Sequence, residues 1–202
     1  MFTQTEKKYY TPEEYFVLEE TAEYKSEYHD GEIIPMTGGT DAHNTIALNF
    51  CRSFPRTIDN QSYKLYLANM RLSIPEYKRY TYPDIMIIKG KPIFERNKTI
   101  VTNPWVIVEV LSKSTYDYDY TKKFKFYRSL PSLEEYILID QYRYSVTKYV
   151  KHTDEQWLYH YFDGENAILT LSSLNFQISF KDLYEEVKLE PEPEIEGTEE
   201  ID

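Results

Sequence analysis

The amino-acid sequence predicts a mixed α/β (α+β) fold: a central mixed sheet flanked by helices, with further antiparallel strands toward the C-terminus. Three observations carry this prediction. Residues 105–111, Trp-Val-Ile-Val-Glu-Val-Leu, are apolar at every position but one, as in a strand buried on both faces. Segments with helical spacing alternate with strand-like runs through about residue 140, and beyond Tyr144 short strand-like runs follow one another up to a last short helix. The 202 residues, 41% of them apolar and 16% aromatic, suffice for one domain with a core of its own.

In chain order, Thr11-Pro12-Glu13-Glu14 reads as a helix start. Thr11 is the N-cap, Pro12 takes the first helical position, Glu14 closes a capping box, and the helix runs to about Glu20. Asp30-Gly31 marks a hairpin-type turn into a strand at Glu32 to Met36, which Gly38-Gly39 breaks. From Asp41, the spacing of Ala42, Ile46, Phe50 and Phe54 predicts a second helix. Strands are expected at Tyr63 to Ser73 and Tyr82 to Lys89, then at Trp105 to Leu111 in the middle of the sheet. Tyr120, Phe124 and Tyr127 give residues 115–129 an amphipathic helical stripe, and Glu135 to Asp140 returns to strand. Tyr144 to Tyr149, Trp157 to Tyr161, Ile168 to Leu171 and Phe176 to Ile178 read as antiparallel strands ahead of a short helix at Lys181 to Val187. No internal repeat is visible.

A formal charge of −11 argues against a polyanion-binding protein, because non-specific nucleic-acid affinity comes from basic side chains. Residues 190–202, however, hold six Glu and one Asp with no basic residue, so the rest of the chain carries only −4. That segment, alternating Glu with Pro, is expected to be a disordered acidic tail following a domain over residues 1–189. The sequence contains no run of about 18 apolar residues and no apolar stretch near its start, so no membrane partner is expected. One cysteine, Cys51, excludes an internal disulfide and suits a reducing, cytoplasmic setting.

Glu109 interrupts the apolar strand, and an unpaired carboxylate there costs several kcal/mol. A buried ion pair or a strand end reaching solvent is one answer. Asp84, directly after Pro83 at the head of the preceding strand, offers another: two acidic groups entering neighbouring central strands bind a divalent cation through oxygen. Mg²⁺ in such a site, with Mn²⁺ as a substitute, serves phosphodiester hydrolysis. A lysine beside it would position or deprotonate the attacking water. Lys123 is the candidate, since it flanks the Tyr120, Phe124, Tyr127 stripe, whereas Lys122 points roughly opposite to Phe124.

Pro83-Asp84, a gap of 24 residues and Glu109-Val110-Leu111 resemble the PD-(D/E)XK signature of restriction-endonuclease-like folds, except that Leu111 stands where the signature has lysine. HDGEIIPMTGGTDAHNTI, TYPDIMI, VIVEVLSKST and DYDYTKKFKFYRSLPSLEEYILID resemble the Uma-type restriction-endonuclease-like family, long catalogued as a domain of unknown function, over about residues 9 to 188. The resemblance implies a restriction-endonuclease-like core and a metal-dependent DNA endonuclease. It aligns Lys123 with a lysine that has moved to the helix after the Glu strand. It also places an early acidic residue of the family on Glu27, as a further carboxylate or a partner to the metal, and a His-Asn pair on His43, where a histidine could contact phosphate or hold a water. Glu27 also reads as a surface glutamate, and His43 as a helix-start hydrogen-bonder.

Arg71, Lys78, Arg79, Lys122 and Lys125 are candidates for phosphate contact. Most of the 21 tyrosines read as packing in half-buried strands rather than as base-stacking faces. A homodimer is expected, because cutting both strands takes two sites and the β surface is aromatic-rich. The other function class left open is a catalytically silent nuclease-fold module that binds nucleic acid or a protein.

Overall fold

A computed structural model of the chain describes residues 8–113 and 115–189. Among them a seven-stranded sheet runs in the spatial order Trp157–Asp163, Ser145–Lys151, Glu135–Asp140, Val106–Leu111, Ile85–Lys89, Gln61–Leu67 and Thr57–Ile58. Val106–Leu111 is fourth of the seven, and all six of its residues are buried, as its apolar run requires. It pairs parallel with Glu135–Asp140 and antiparallel with Ile85–Lys89, so the sheet is mixed. A second sheet has the order Glu32–Pro35, Ser26–His29, Arg79–Thr81, Arg71–Ile74, Ile100–Val101 and Phe94–Glu95. The hairpin Ile168–Leu171 and Phe176–Ser179 stands apart from both. Among the described residues no helix is long and apolar enough to cross a membrane.

Alternation along the central strands divides the core in two. Val106, Val108 and Val110, with Ile85, Ile87, Ile137 and Ile139, face the helix Asp41–Ser53 and the C-terminal hairpin. Ile107 and Leu111, with Met86, Ile88 and Leu138, meet Leu72 and Ile74 of the second sheet and Tyr127, Leu130 and Leu133. Each fully buried Ile, Leu or Val contributes about 1.5–3 kcal/mol relative to exposure, so the central strand is fixed in register by both layers. Glu109 falls between Ile107 and Leu111, among the strand positions that supply the second layer.

Local signals set the helix starts. Thr11 and Glu14 form the reciprocal capping box, and the first helix runs Pro12–Thr21. Asp30 and Gly31 both take positive φ, 45° and 100°, which makes a primed two-residue turn between Ser26–His29 and Glu32–Pro35. Thr40 caps the helix Asp41–Ser53, accepting from the His43 N–H, and its hydroxyl also donates to Gln141 at the end of the Glu135–Asp140 strand.

Several boundaries differ from the sequence expectation. The strand expected at Tyr63 to Ser73 is two strands in different sheets, Gln61–Leu67 and Arg71–Ile74. Ala68 between them adopts a left-handed φ of 49° and bonds to the Asp84 carbonyl, which turns the chain out of the first sheet. The strand expected from Tyr82 begins at Ile85, because Pro83 has no N–H for the ladder; Arg79–Thr81 belongs to the other sheet. The helix expected over 115–129 is α-helical at Tyr116–Tyr118, opens into a π turn at Asp119–Lys123, and resumes at Phe124–Tyr127. The last helix covers Phe180–Leu183 rather than Lys181 to Val187. There the Tyr184 hydroxyl donates toward the carbonyls of Asp140, Arg143 and Ser145, and Glu186 takes a positive φ. The acidic segment 190–202 lies outside the described residues.

Candidate active site

The antiparallel ladder between Val106–Leu111 and Ile85–Lys89 ends with Val108 opposite Ile85, so the next step sets Glu109 opposite Asp84. Opposed residues of an antiparallel pair lie side by side, and here the two interlock. The Asp84 N–H donates to Glu109 Oε2 at 3.4 Å, and the Val110 N–H donates to Asp84 Oδ2 at 2.8 Å. Pro83, which ends the pairing, is what leaves this end of the ladder to side chains.

Around Glu109 the donors come from the interrupted helix. Lys123 Nζ lies 3.1 Å from Glu109 Oε1, and the Tyr127 hydroxyl donates to the same oxygen at 2.7 Å. Lys123 also sits 2.9 Å from Asp119 Oδ1. Asp119, Lys123 and Tyr127 are spaced four residues apart, which sets all three on one helical face, with a π turn at Asp119–Lys123. Glu109 and Asp119 are almost fully buried, and the Lys123 side chain is 15% exposed.

On one flank, His43 at the head of the helix Asp41–Ser53 places Nε2 3.1 Å from Asp84 Oδ2. Its Nδ1 is buried without a hydrogen-bond partner, and it lies where a side chain on Gly39 would fall, 2.8 Å from an added Cβ. Gly39 therefore makes room for the imidazole, a reason for glycine beyond ending a strand. On the other flank, Glu27 Oε2 is 2.7 Å from His29 Nε2 and Glu27 Oε1 accepts the Tyr82 N–H at 3.1 Å. A cavity of about 10 Å³, room for one water, lies between Glu27, His29, Arg79, Thr81, Tyr118 and Lys123.

The charges follow from this packing. Burial pushes the Glu109 carboxyl up, to about 8; Lys123 opposes this, while the charges of Asp84 and Asp119 add to it. Burial also works to neutralise Lys123, but Glu109 and Asp119 outweigh it and hold the amine above its ordinary range, so it is an ammonium at neutral pH. The two partners pull in opposite senses, since Glu109 is driven toward neutrality while its charge is what retains the lysine proton. The ammonium persists because it faces two carboxyls, Glu109 and Asp119. Asp84 is pushed up by burial, yet the hydrogen bond and charge of His43, the charge of Lys123 and the Val110 N–H bring it below its usual range. Glu27, also pushed up by burial, falls to about 2 through His29, Lys123 and the Tyr82 N–H.

Four carboxyl groups, on Glu27, Asp84, Glu109 and Asp119, thus surround one ammonium. Burial, with a smaller contribution from the neighbouring carboxyls, makes the ionised Glu109 costly, and a hard divalent cation would offset that cost. Among the described residues no group of three or more His, Cys, Asp or Glu is arranged to hold a metal. The donor set is a pair of carboxylates. It fits Mg²⁺, which is held by one or two carboxylates and completes its shell with water and phosphate, better than a closed zinc-type site.

The structure therefore brings Asp84, Glu109, Lys123 and His43 into one polar chain of contacts, and Glu27 lines the small cavity together with Lys123. Arg71 is elsewhere: it pairs with Glu19 at 3.4 Å and lies against the rings of Tyr15, Phe16 and Tyr82. Lys122 and Lys125 are exposed, and Lys78 pairs with Asp30. Arg79 lines the small cavity, bonded to the Tyr118 hydroxyl. Sequence reasoning missed Asp119, His29 and the part Tyr127 plays. The first and last were within reach, because they stand four residues either side of Lys123 on one helical face.

A family model described as "Uma2: Putative restriction endonuclease" matches residues 12–181. Two uncharacterized proteins of Synechocystis are similar. One, sll1609, is 45% identical over 166 residues, covering 82% of this chain and 94% of its own length. The other, slr1290, is 32% identical over 148 residues, covering 73% and 77%. Among solved structures, a "putative nuclease belonging to DUF820" from Anabaena variabilis superposes with a TM-score of 0.68 at 23% identity, over 87% of this chain and 97% of that one.

Proposed function

The chain belongs to the Uma2 family, described as putative restriction endonucleases, and from that premise we propose that it is a Mg²⁺-dependent endonuclease hydrolysing DNA phosphodiester bonds, with Mn²⁺ able to substitute. The observation that carries the reading is the meeting of Asp84 and Glu109 at the end of one ladder, with Lys123 against the Glu109 carboxyl. Asp84 and Glu109 would hold the ion, which supplies Lewis-acid polarisation of the phosphate and a more acidic bound water. Lys123, kept protonated by two carboxyls, orients the attacking water and offsets charge growing on the phosphate; an ammonium has no lone pair to act as base. Tyr127 and Asp119 are positioning residues, one fixing the Glu109 carboxyl and the other the ammonium. His43 steadies Asp84, and Glu27 adds negative charge beside Lys123. Cutting both strands takes two such sites, which favours a homodimer.

A second reading, a silent module of the same fold, draws support from Lys123 itself, which sits directly on a Glu109 oxygen that the ion would need. Incubation with supercoiled plasmid and with single-stranded DNA, in Mg²⁺ or Mn²⁺, separates the two. The endonuclease reading expects nicked or linear products and a loss of about 100-fold or more in Asp84→Ala and Lys123→Ala. No cleavage of either substrate, together with calorimetric Mg²⁺ binding no tighter than in Asp84→Ala, would overturn it in favour of the silent module.

A further inference from the structure

The seven-stranded sheet ends in the seven-residue strand Trp157–Asp163, whose sequence is Trp-Leu-Tyr-His-Tyr-Phe-Asp. One side of this strand pairs with Ser145–Lys151 over its whole length, and the other side carries no strand among the described residues. Proteins blunt such edges with lysine, proline, bulges or short length. Here residues 157–162 include no Lys, Arg, Asp, Glu or Pro, and the pairing to Ser145–Lys151 runs without interruption. Leu158, Tyr159 and Tyr161 are about half exposed, at 48%, 59% and 49%. A long, uncharged, aromatic edge on a chain of net charge −11 is the place where that charge least opposes contact with another copy.

The strand is also its own complement. In an antiparallel pair of two copies centred on His160, Tyr159 faces Tyr161, Leu158 faces Phe162 and Trp157 faces Asp163; this is the centre that engages all seven residues. Cross-strand aromatic and aliphatic pairs of this kind each contribute about 0.2–1 kcal/mol, and a two-fold interface requires such self-complementarity. We propose that a second copy of this chain docks edge to edge along Trp157–Asp163, joining two seven-stranded sheets into one continuous sheet.

The pairing stands apart from the nuclease reading, but it has a consequence for it. Glu109 aligns with Leu138, Leu138 with Thr147 and Thr147 with Tyr161. Seven strand spacings of about 4.8 Å then set the two Glu109 residues about 34 Å apart. The two sites act separately in such a dimer, and a plasmid is nicked before it is linearised.

Sedimentation velocity on the full chain, from about 1 to about 100 µM, tests the pairing. The wild type is expected to pass from monomer to dimer within that range. Tyr159→Lys combined with Tyr161→Lys is expected to weaken the dimer at least about tenfold while leaving the far-ultraviolet circular dichroism unchanged. In a Cys51→Ala background, His160→Cys is expected to form a disulfide-linked dimer under mild oxidation, since residues facing each other on the two-fold axis lie about 4.5–5.5 Å apart. His152→Cys, in the turn before the strand, serves as the unlinked control. A wild type that stays monomeric at the highest concentration overturns the proposal. So does a dimer that survives the lysine pair, or one in which Cys at 160 links no better than Cys at 152.

Discussion

Replacing Glu109 with Gln should make the protein more stable and abolish metal-dependent activity. The Glu109 carboxyl is almost fully buried and pushed up to about 8 from 4.5, first by burial and then by its acidic neighbours Asp84 and Asp119. A carboxyl raised in the folded state binds its proton where the unfolded chain has already released one. Stability therefore falls as pH rises from about 4.5, and the fall is complete near 8. At about 1.36 kcal/mol per unit, the full loss is about 5 kcal/mol, and by pH 7 about 3 kcal/mol of it has occurred. Gln carries no proton to lose, and its amide oxygen can still accept from Tyr127 and Lys123. In EDTA at pH 7 the variant should gain about 3 kcal/mol, worth about 6–12 °C in Tm for a chain of this size. Urea denaturation of both proteins at pH 5, 6, 7 and 8 reads this directly, with the wild type losing stability over that span relative to Glu109→Gln. Saturating Mg²⁺ should narrow the gap by stabilising the wild type alone, about 2.7 kcal/mol at a hundred times Kd. A Glu109→Gln variant less stable than wild type at pH 8 in EDTA refutes the claim that ionising this buried carboxyl costs stability.

Glu27 titrates in the opposite sense. Its carboxyl falls to about 2, so its stabilisation is present above about 4.5 and lost as pH drops toward 2; Glu27→Gln should cost about 1–3 kcal/mol at pH 7 by chemical denaturation, a difference that vanishes in acid. Gly39→Ala puts a methyl 2.8 Å from His43 Nδ1 and should swing the imidazole off Asp84. DNA cleavage is expected to drop about 10- to 100-fold with a melting temperature close to wild type, and a fully active variant would show that His43 is not needed on Asp84. Tyr127→Phe removes a 2.7 Å donor from a buried carboxyl and should lower stability by about 1–3 kcal/mol in urea, with the largest loss at high pH, where Glu109 is ionised.

The central strand was legible because burial on both faces leaves one readable pattern, and the lone carboxyl within it could not be overlooked. The Thr11–Glu14 capping box and the Asp30-Gly31 turn were legible because each rests on atoms within a few residues. The second sheet was not. Its strands are three or four residues long where they carry the site, Ser26–His29 and Arg79–Thr81 among them, and what joins these two is pairing across about fifty residues rather than a local preference. Ala68 illustrates the limit, since no property of alanine announces a left-handed φ; the Asp84 carbonyl imposes it. Arg71 shows the reverse failure. A basic residue near the right strands was read as a phosphate contact, while its guanidinium lies among three rings with Glu19, residues that have no sequence relation to it.

The lysine explains how the site tolerates a departure from its signature. Leu111 follows Glu109 by two residues and so shares its face of the strand, yet it is buried in the layer formed with Tyr127 and Leu138. A lysine there would bring a charge into that apolar layer. From the helix, Lys123 reaches the same carboxyl while its own side chain keeps some contact with solvent, and Asp119 one turn earlier shares its charge. Asp119, Lys123 and Tyr127 converge near the Glu109 carboxyl, while Phe124 packs against Tyr136 and Tyr149. Positions 119, 123 and 127 recur every four residues, so they share one helical face. On the proposed function, the requirement on the chain is spatial: an ammonium within about 3 Å of the strand carboxyl. Two different backbone positions can satisfy it, and in this sequence the helix does so.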